Sequence, residues 1–415
     1  MVSVTFGDSK EEYHLLLDSA ASNTWVMGQD CKSEACGAHN TFGEGDSTSL
    51  KKGDTTFSIT YGTGSVSGII ATDTMHLSSL SPSLTFGLAT NVSQEFSSYP
   101  MDGILGIGRG DSVPGTIESP QFMDVLATSK LIKAKLFGIH LSRAKDGTND
   151  GELNFGEVNT KRYDGDLNYV KTVNNDNGFW EIPVDDAGVD GKTLSLKGRS
   201  AILDSGTSFI LMPANDAAAV HKLIPGYSQS GETFTVPCKS TQVVQLLFGG
   251  KSYNVSTADY IGGDLGGGSC KSNIIGRKTF GDTQWLVGDV FLKNVYSVFD
   301  FDNSQVGFGV KEAGKETVSS ASATSGAASR TATSKGEQSS PTSTPTISHS
   351  PNSTPSLGAS SSATSPASGN AANPTAESQQ TPGPTPSAKG DAGRPLASAS
   401  SFALSIALGL LSMFM

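Results

Sequence analysis

Basic runs are missing from this 415-residue sequence, in which 40 acidic side chains stand against 29 basic ones for a net charge of -11. A nucleic-acid partner draws affinity from clustered Lys and Arg that displace counterions, so the composition argues against one. Cysteine is scarce, at four residues, and neither a Cys-x-x-Cys pair nor a nearby histidine pair occurs, so the usual zinc spacings are absent. Long apolar stretches are absent as well. The uncharged tail from Phe402 to Met415 has 14 positions, short for a bilayer span, and no basic residue follows it. Helical periodicity is confined to a few places such as Ser119 to Leu131 and Ala214 to Leu223. Nothing at the start reads as a signal peptide; Met1 to Gly7 alternates instead like a strand.

What the sequence does contain is short β-rich runs broken by Gly, Asn and Asp, including 135–141, 151–156 and 246–253, and these predict a mainly β fold. One pattern occurs twice. Leu15-Leu16-Leu17-Asp18-Ser19-Ala20 and Ala201-Ile202-Leu203-Asp204-Ser205-Gly206 each run from apolar residues into Asp, Ser and a small residue. Either Asp alone reads as a turn residue closing a buried strand. Each is followed, however, by a glycine-bearing apolar segment, Asp102-Gly103-Ile104-Leu105-Gly106-Ile107-Gly108 after the first and Trp285-Leu286-Val287-Gly288-Asp289-Val290-Phe291 after the second. Asp18 precedes Gly106 by 88 positions and Asp204 precedes Gly288 by 84, so the two elements recur in one order at nearly one spacing. Repetition on that scale predicts two related lobes, each offering one carboxylate.

Two carboxylates held close together share a proton and titrate as a pair, which places a base and an acid in one site. The charged member can take a proton from water while the protonated member supports the carbonyl oxygen under attack. Such chemistry calls for no metal, cofactor or covalent nucleophile. A third feature lies between the two halves of the first repeat: Phe57, Ile59 and Tyr61 alternate as in a strand, and Gly62 to Gly64 supplies the tip of a tight hairpin.

On these residues the chain resembles the pepsin-like aspartic peptidases, and within them the fungal, cathepsin D-like members held at the cell surface by a glycolipid. The resemblance covers about residues 1 to 312. Ile59-Thr60-Tyr61-Gly62-Thr63-Gly64-Ser65-Val66-Ser67-Gly68 is similar to the flap hairpin of that family, and Trp25 stands where the family keeps a tryptophan whose indole N–H bonds the flap tyrosine. The ending Phe291 to Asp300, with Gln305-Val306-Gly307-Phe308, is similar to the family's final strands. The resemblance implies a bilobal pepsin-like fold with a central cleft, with lobes at 1–168 and 169–312 meeting after the turn Tyr163 to Asp166. It implies Asp18 and Asp204 as catalytic residues, Tyr61, Gly62, Thr63, Gly206 and Thr207 as substrate contacts, and Ser19, Trp25 and Ser205 as supports. The implied partners are protein or peptide substrates, bound by a monomer.

The first Asp segment departs from the family's Asp-Thr-Gly-Ser. Ser19 keeps the hydroxyl that reaches the opposite lobe but lacks the β-branch that fixes χ1, which predicts a looser site. Ala20 replaces a glycine, a costly change if the position needs positive φ. Ala21 lacks a hydroxyl that in the family donates to the outer oxygen of the carboxylate. Its loss is expected to raise the lower apparent pKa of the pair and to move the acidic fall-off of activity to higher pH. The rival expectation is a member inactivated by Ala20 and Ala21 and kept as a surface binding or adhesion protein.

The family also has disulfides at places matching Cys31 with Cys36 and Cys238 with Cys270, a metal site being the alternative use of these cysteines. Oxidised pairs imply a secretory route. Asn91, Asn254 and Asn352 begin Asn-x-Ser/Thr sequons. From 313 to 401 Ser, Thr, Ala, Pro and Gly dominate, predicting an unfolded, O-glycosylated stalk. The small-residue cluster Gly390-Asp391-Ala392-Gly393, a spacer and the apolar tail 402–415 match the three parts of a glycosylphosphatidylinositol signal, with attachment expected at Gly390 and Asp391 to Gly393 as alternatives. The expected location is the cell surface, with the anchor in the plasma membrane or the protein passed to the wall. Against the family, the chain is expected to begin late, with a signal, a propeptide and the first mature strand upstream.

Overall fold

Tyr13, Leu15 and Leu17 are buried on one face of a strand whose other face carries His14 and Leu16, the alternation that a half-covered sheet demands. The computed structural model describes residues 1–110 and 114–311, and strands of this kind dominate it. The first half supplies β1 (Val2–Phe6), β2 (Tyr13–Asp18), β3 (Trp25–Met27), β4 (Lys51–Tyr61), β5 (Gly64–His76), β6 (Ser83–Val92) and β7 (Gly103–Gly106). Then come α1 (Phe122–Thr128), β8 (Leu136–His140), β9 (Glu152–Phe155) and β10 (Asp164–Lys171). The second half opens with β11 (Glu181–Val184), β12 (Asp186–Val189), β13 (Lys192–Thr193), β14 (Arg199–Leu203), β15 (Ile210–Leu211) and α2 (Ala214–Lys222). It continues through β16 (Ser228–Ser230), β17 (Thr233–Pro237), β18 (Val244–Phe248), β19 (Lys251–Val255), α3 (Thr257–Tyr260), β20 (Ile261–Asp264), β21 (Ser269–Ser272) and β22 (Ile274–Ile275). It closes with β23 (Gln284–Val287), α4 (Asp289–Leu292), β24 (Val295–Asp300) and β25 (Gln305–Val310).

The internal repeat becomes a repeated strand crossing. In the first half β2 runs parallel to β7 while β3 runs antiparallel to the same strand, within a sheet ordered β1-β2-β7-β3-β6-β5-β4. In the second half β14 runs parallel to β23 and β15 antiparallel to it, within a sheet ordered β11-β14-β23-β15-β22. The chain that turns at each Asp is thus threaded across the strand carrying the matching glycine. A Cβ on Gly106 would collide with the backbone of Ala21 and Asn23, and one on Gly288 with that of Thr207 and Phe209. These positions lie three and five residues after the respective Asp, so each glycine is the gap through which its Asp turn passes.

A third sheet, ordered β10-β25-β24-β8-β9, combines strands from both halves. The expected junction at 168–169 lies within β10, which pairs with β25 up to Lys171. Phe137, Trp180 and Phe299 meet against this sheet, with Phe137 stacked 4.7 Å from Phe299 and Trp180 edge-on at 5.3 Å. Helical periodicity at 119–131 and 214–223 gives α1 and α2, about two and two and a half turns long. The β-rich run 246–253 forms the hairpin of β18 and β19, which Gly249 and Gly250 turn at φ of +57° and +76°. One expectation needs correction. Phe291 and Leu292, expected in a final strand, lie in α4, and only from Val295 does the ending become β24.

Cys31–Cys36 and Cys238–Cys270 are disulfides. Asp264 lies beside the second, but both sulfurs of that grouping are already bonded to each other. Met1 leads directly into β1, which pairs with β2 and with the end of β5. No helix among the described residues is long and apolar enough to cross a membrane. The expected stalk 313–401, the tail 402–415, Asn352 and Gly390 lie outside the described residues.

Candidate active site

Asp18 is the last residue of β2 and Asp204 follows the last residue of β14, so both parallel pairings deliver a carboxylate to the same depth. Backbone bonds fix each turn: Ile107 N–H donates to Asp18 O at 2.9 Å and Asp204 N–H donates to Val287 O at 3.0 Å. Both aspartates are wholly buried.

The two turns are fastened to one another by their serines. Ser19 Oγ donates to Leu203 O at 3.0 Å and accepts from Ser205 N–H at 3.0 Å; Ser205 Oγ donates to Leu17 O at 2.8 Å and accepts from Ser19 N–H at 3.1 Å. Each hydroxyl therefore reaches the carbonyl just before the opposite Asp. With donor and acceptor capacity both used in a buried setting, serine is held as tightly as the bonds can hold it. The expected looseness at Ser19 has no counterpart in this geometry.

The carboxylates are solvated unequally. Asp204 Oδ1 accepts from Gly206 N–H at 2.8 Å and its Oδ2 accepts from the Thr207 hydroxyl at 2.5 Å. Asp18 Oδ1 accepts from Ala20 N–H at 2.9 Å and Ala21 N–H at 2.8 Å, while its Oδ2 is buried and receives no donor. Burial pushes the Asp18 carboxyl well above the usual range, and the neighbouring Asp204 charge pushes it further. Burial also raises Asp204, against the opposing pull of the Thr207 hydroxyl and Gly206 amide.

Ala20 is buried without a positive φ, so the feared backbone cost does not arise. Its methyl joins an apolar cluster of the second half, with Phe179, Ile202, Leu211, Ile275 and Leu286. Its counterpart Gly206 has no such freedom: a Cβ there would stand 2.6 Å from Asp18 Oδ2. Thr207 is buried with its hydroxyl on Asp204, a carboxylate partner where a substrate contact was expected.

Over the pair lies the β4–β5 hairpin. Tyr61 is buried, and Trp25 Nε1–H donates to its hydroxyl at 2.7 Å. Gly62 is exposed at the tip, and Thr63 Oγ1 is enclosed without a partner. Gly64 takes φ +155° and would carry a Cβ into Ser93 Oγ, so glycine is required where the hairpin turns. Phe96 braces the assembly with its ring 5.6 Å from Trp25 and 6.2 Å from Tyr61. Sequence reasoning missed Phe96, which sits in a short 3-10 turn without periodicity. It also missed Arg109, which donates to Phe179 O and lies 5.1 Å over the Trp180 ring, tying the halves together beside the site. The sequon residues Asn91 on β6 and Asn254 on β19 are exposed, their side-chain oxygens accepting from Ser33 and Gln245.

Two buried aspartates on matched strand crossings, bonded across a two-lobed cleft under a hairpin, define the class of the pepsin-like aspartyl proteases. The chain belongs to the family described as eukaryotic aspartyl protease, which matches residues 1–311. It is 46% identical over 308 residues to the aspartic-type endopeptidase ctsD of Aspergillus fumigatus, covering 74% of this chain and 64% of that protein. It is 44% identical over 311 residues to the probable aspartic-type endopeptidase CTSD of Arthroderma benhamiae, covering 60% of that protein. A third relative, the probable aspartic-type endopeptidase CTSD of Arthroderma otae, is 46% identical over 302 residues and is covered for 79% of its length. The chain thus spans somewhat under two thirds of the length of the first two.

Proposed function

We propose that this protein is an aspartic endopeptidase that hydrolyses peptide bonds at acidic pH with the Asp18/Asp204 pair and a water molecule. The single observation that carries the reading is the carboxyl pair itself, fully buried and clamped by the reciprocal Ser19 and Ser205 bonds. Burying two acids in one site without ion partners costs stability, which favours a chemical role for the pair. In this reading Tyr61, Gly62 and Thr63 contact an extended peptide beneath the hairpin, the peptide being bound by strand-like main-chain hydrogen bonds. Ala20 supports the active reading over the inactive one, because its methyl is absorbed by apolar packing and leaves the turn undistorted.

The test is cleavage of denatured haemoglobin across acid pH, with and without pepstatin. Pepstatin-sensitive cleavage is the expected result; peptide binding without cleavage at any pH would favour the inactive surface protein. Display at the cell surface through a glycolipid attached at Gly390 is part of the same proposal, supported by the composition of 390–415. Release of the protein from intact cells by an inositol-lipid-specific phospholipase tests it, and display unchanged after bulky replacements at 390–393 overturns it.

A further inference from the structure

We infer that the shared proton of the pair resides on Asp18 Oδ2 and the charge on Asp204, so that Asp204 is the base toward water and Asp18 the acid toward the peptide carbonyl. The inference rests on the endopeptidase reading for its chemistry but on geometry for its polarity.

Thr207 gives Asp204 a hydroxyl donor at 2.5 Å, and a donor of that kind favours the ionised form. The position equivalent to Thr207 is Ala21, three residues after Asp18, and a methyl donates nothing. Asp18 Oδ2 is enclosed, without a donor, against Gly206 on the Asp204 turn. An ionised oxygen with no protein donor is the less stabilised of the two, whereas a protonated one can donate to the opposite carboxyl.

The other titratable groups around the pair do not reverse this order. Tyr61, on the hairpin above, is held neutral by burial. Asp289, at the start of α4 behind Asp204, is pushed up to about 6 by burial and is uncharged in the acidic range; Lys293 stands 4.0 Å from it. The direction of the two carboxyl shifts agrees, with Asp18 the more strongly raised.

The reaction then closes on itself. Asp204 removes a proton from water as the water oxygen bonds to the carbonyl carbon, and the carbonyl oxygen takes the proton of Asp18. The result is a neutral gem-diol flanked by Asp18 carboxylate and Asp204 acid. Asp204 next protonates the amide nitrogen, the C–N bond breaks, and Asp18 recovers a proton from one diol hydroxyl. Acid and amine leave, and the pair returns to its starting state.

The polarity moves the expected consequence of Ala21. If Asp204 holds the charge, the lower apparent pKa belongs to the Thr207-supported carboxyl and the upper one to Asp18. Thr207→Val removes the donor, the lower pKa rises, and the acidic limb of kcat/KM moves to higher pH by about one unit. Ala21→Ser stabilises ionised Asp18, the upper pKa falls, and the alkaline limb moves to lower pH by a similar amount while the acidic limb stays.

Two readouts test this on the full-length protein and its Ala21→Ser, Thr207→Val and doubly substituted variants. An aryl glycidyl ether is opened by a carboxylate to give an ester, the neighbouring acid supplying the alkoxide proton. A diazoacetyl ester takes a proton from a carboxylic acid and is captured by it as nitrogen leaves. Peptide mapping should place the first label on Asp204 and the second on Asp18, and the double variant should exchange them. Reversed labels in the wild type, or an acidic limb displaced by Ala21→Ser, would overturn the inference. Labels placed as expected without pepstatin-sensitive cleavage would reject the endopeptidase reading and leave the polarity standing.

Discussion

Residue for residue, the turn after Leu17 and the turn after Leu203 share Asp and Ser and then diverge, Ala20 against Gly206 and Ala21 against Thr207. The backbones ignore the divergence. Both turns thread past a glycine on the strand they cross, and both send one serine hydroxyl to the opposite carbonyl. The side chains do not ignore it. One turn puts a methyl into an apolar cluster and leaves a carboxyl oxygen without a donor; the other keeps a bare Cα against that same oxygen and supplies a hydroxyl to its own. A symmetric frame can therefore hold an asymmetric acid–base pair, and the asymmetry is set by the two positions the serine clamp does not use.

The comparison breaks most severely if one carboxyl is removed. Asp204→Asn should lower kcat on the order of 10⁴-fold, because a neutral amide cannot serve as base. Folding should survive, since the change removes a wholly buried charge. Cleavage assays and thermal melts on the purified variant check both halves of this statement, and near wild-type rates would remove Asp204 from the chemistry.

A methyl exchange between the turns comes next. Gly206→Ala drives a Cβ to within 2.6 Å of Asp18 Oδ2 and should cost about a hundredfold or more in kcat/KM. Ala20→Gly loses only part of an apolar contact and should stay within about 1.5 kcal/mol of wild type in stability with its activity kept. Equal effects from the two would mean that the turns are interchangeable after all.

Tyr61→Ala removes the ring pinned by Trp25 and braced by Phe96, and should reduce kcat/KM by about tenfold to a hundredfold. A loss as large as that of Asp204→Asn would make Tyr61 more than a positioning residue.

The smallest effects sharpen the symmetric part. Ser19→Ala and Ser205→Ala should each destabilise by about 1 to 3 kcal/mol, because each leaves a buried carbonyl and amide unpaired. Chemical denaturation of both single variants and the double variant should give matched single costs and a double cost below their sum, as expected of one coupled network. Additive costs would mean that the two hydroxyls act separately.

Much of this site was legible because a chain repeat carries its own internal control. Asp18, Asp204, Gly106 and Gly288 stand out by spacing alone, and the Phe57, Ile59 and Tyr61 alternation marks the hairpin by period. Phe96 and Arg109 left no mark, because a 3-10 turn and a loop have no period and their partners are distant in sequence. The β18–β19 hairpin read as one run since its turn is two glycines, which a β-rich stretch tolerates in composition and only φ distinguishes.

The sequence by itself determined that there are two acids, each at the end of an apolar strand and each matched to a distant glycine, because strand period and repeat spacing are local or countable properties. Tertiary structure alone decided how unlike the two acids are. Whether Ala20 strains the turn depends on a φ, whether Gly206 tolerates a methyl depends on an oxygen 188 positions earlier, and whether Asp18 Oδ2 finds a donor depends on everything packed around it. Burial and hydrogen-bond satisfaction are properties of the assembled surroundings, and no residue carries them in its own name.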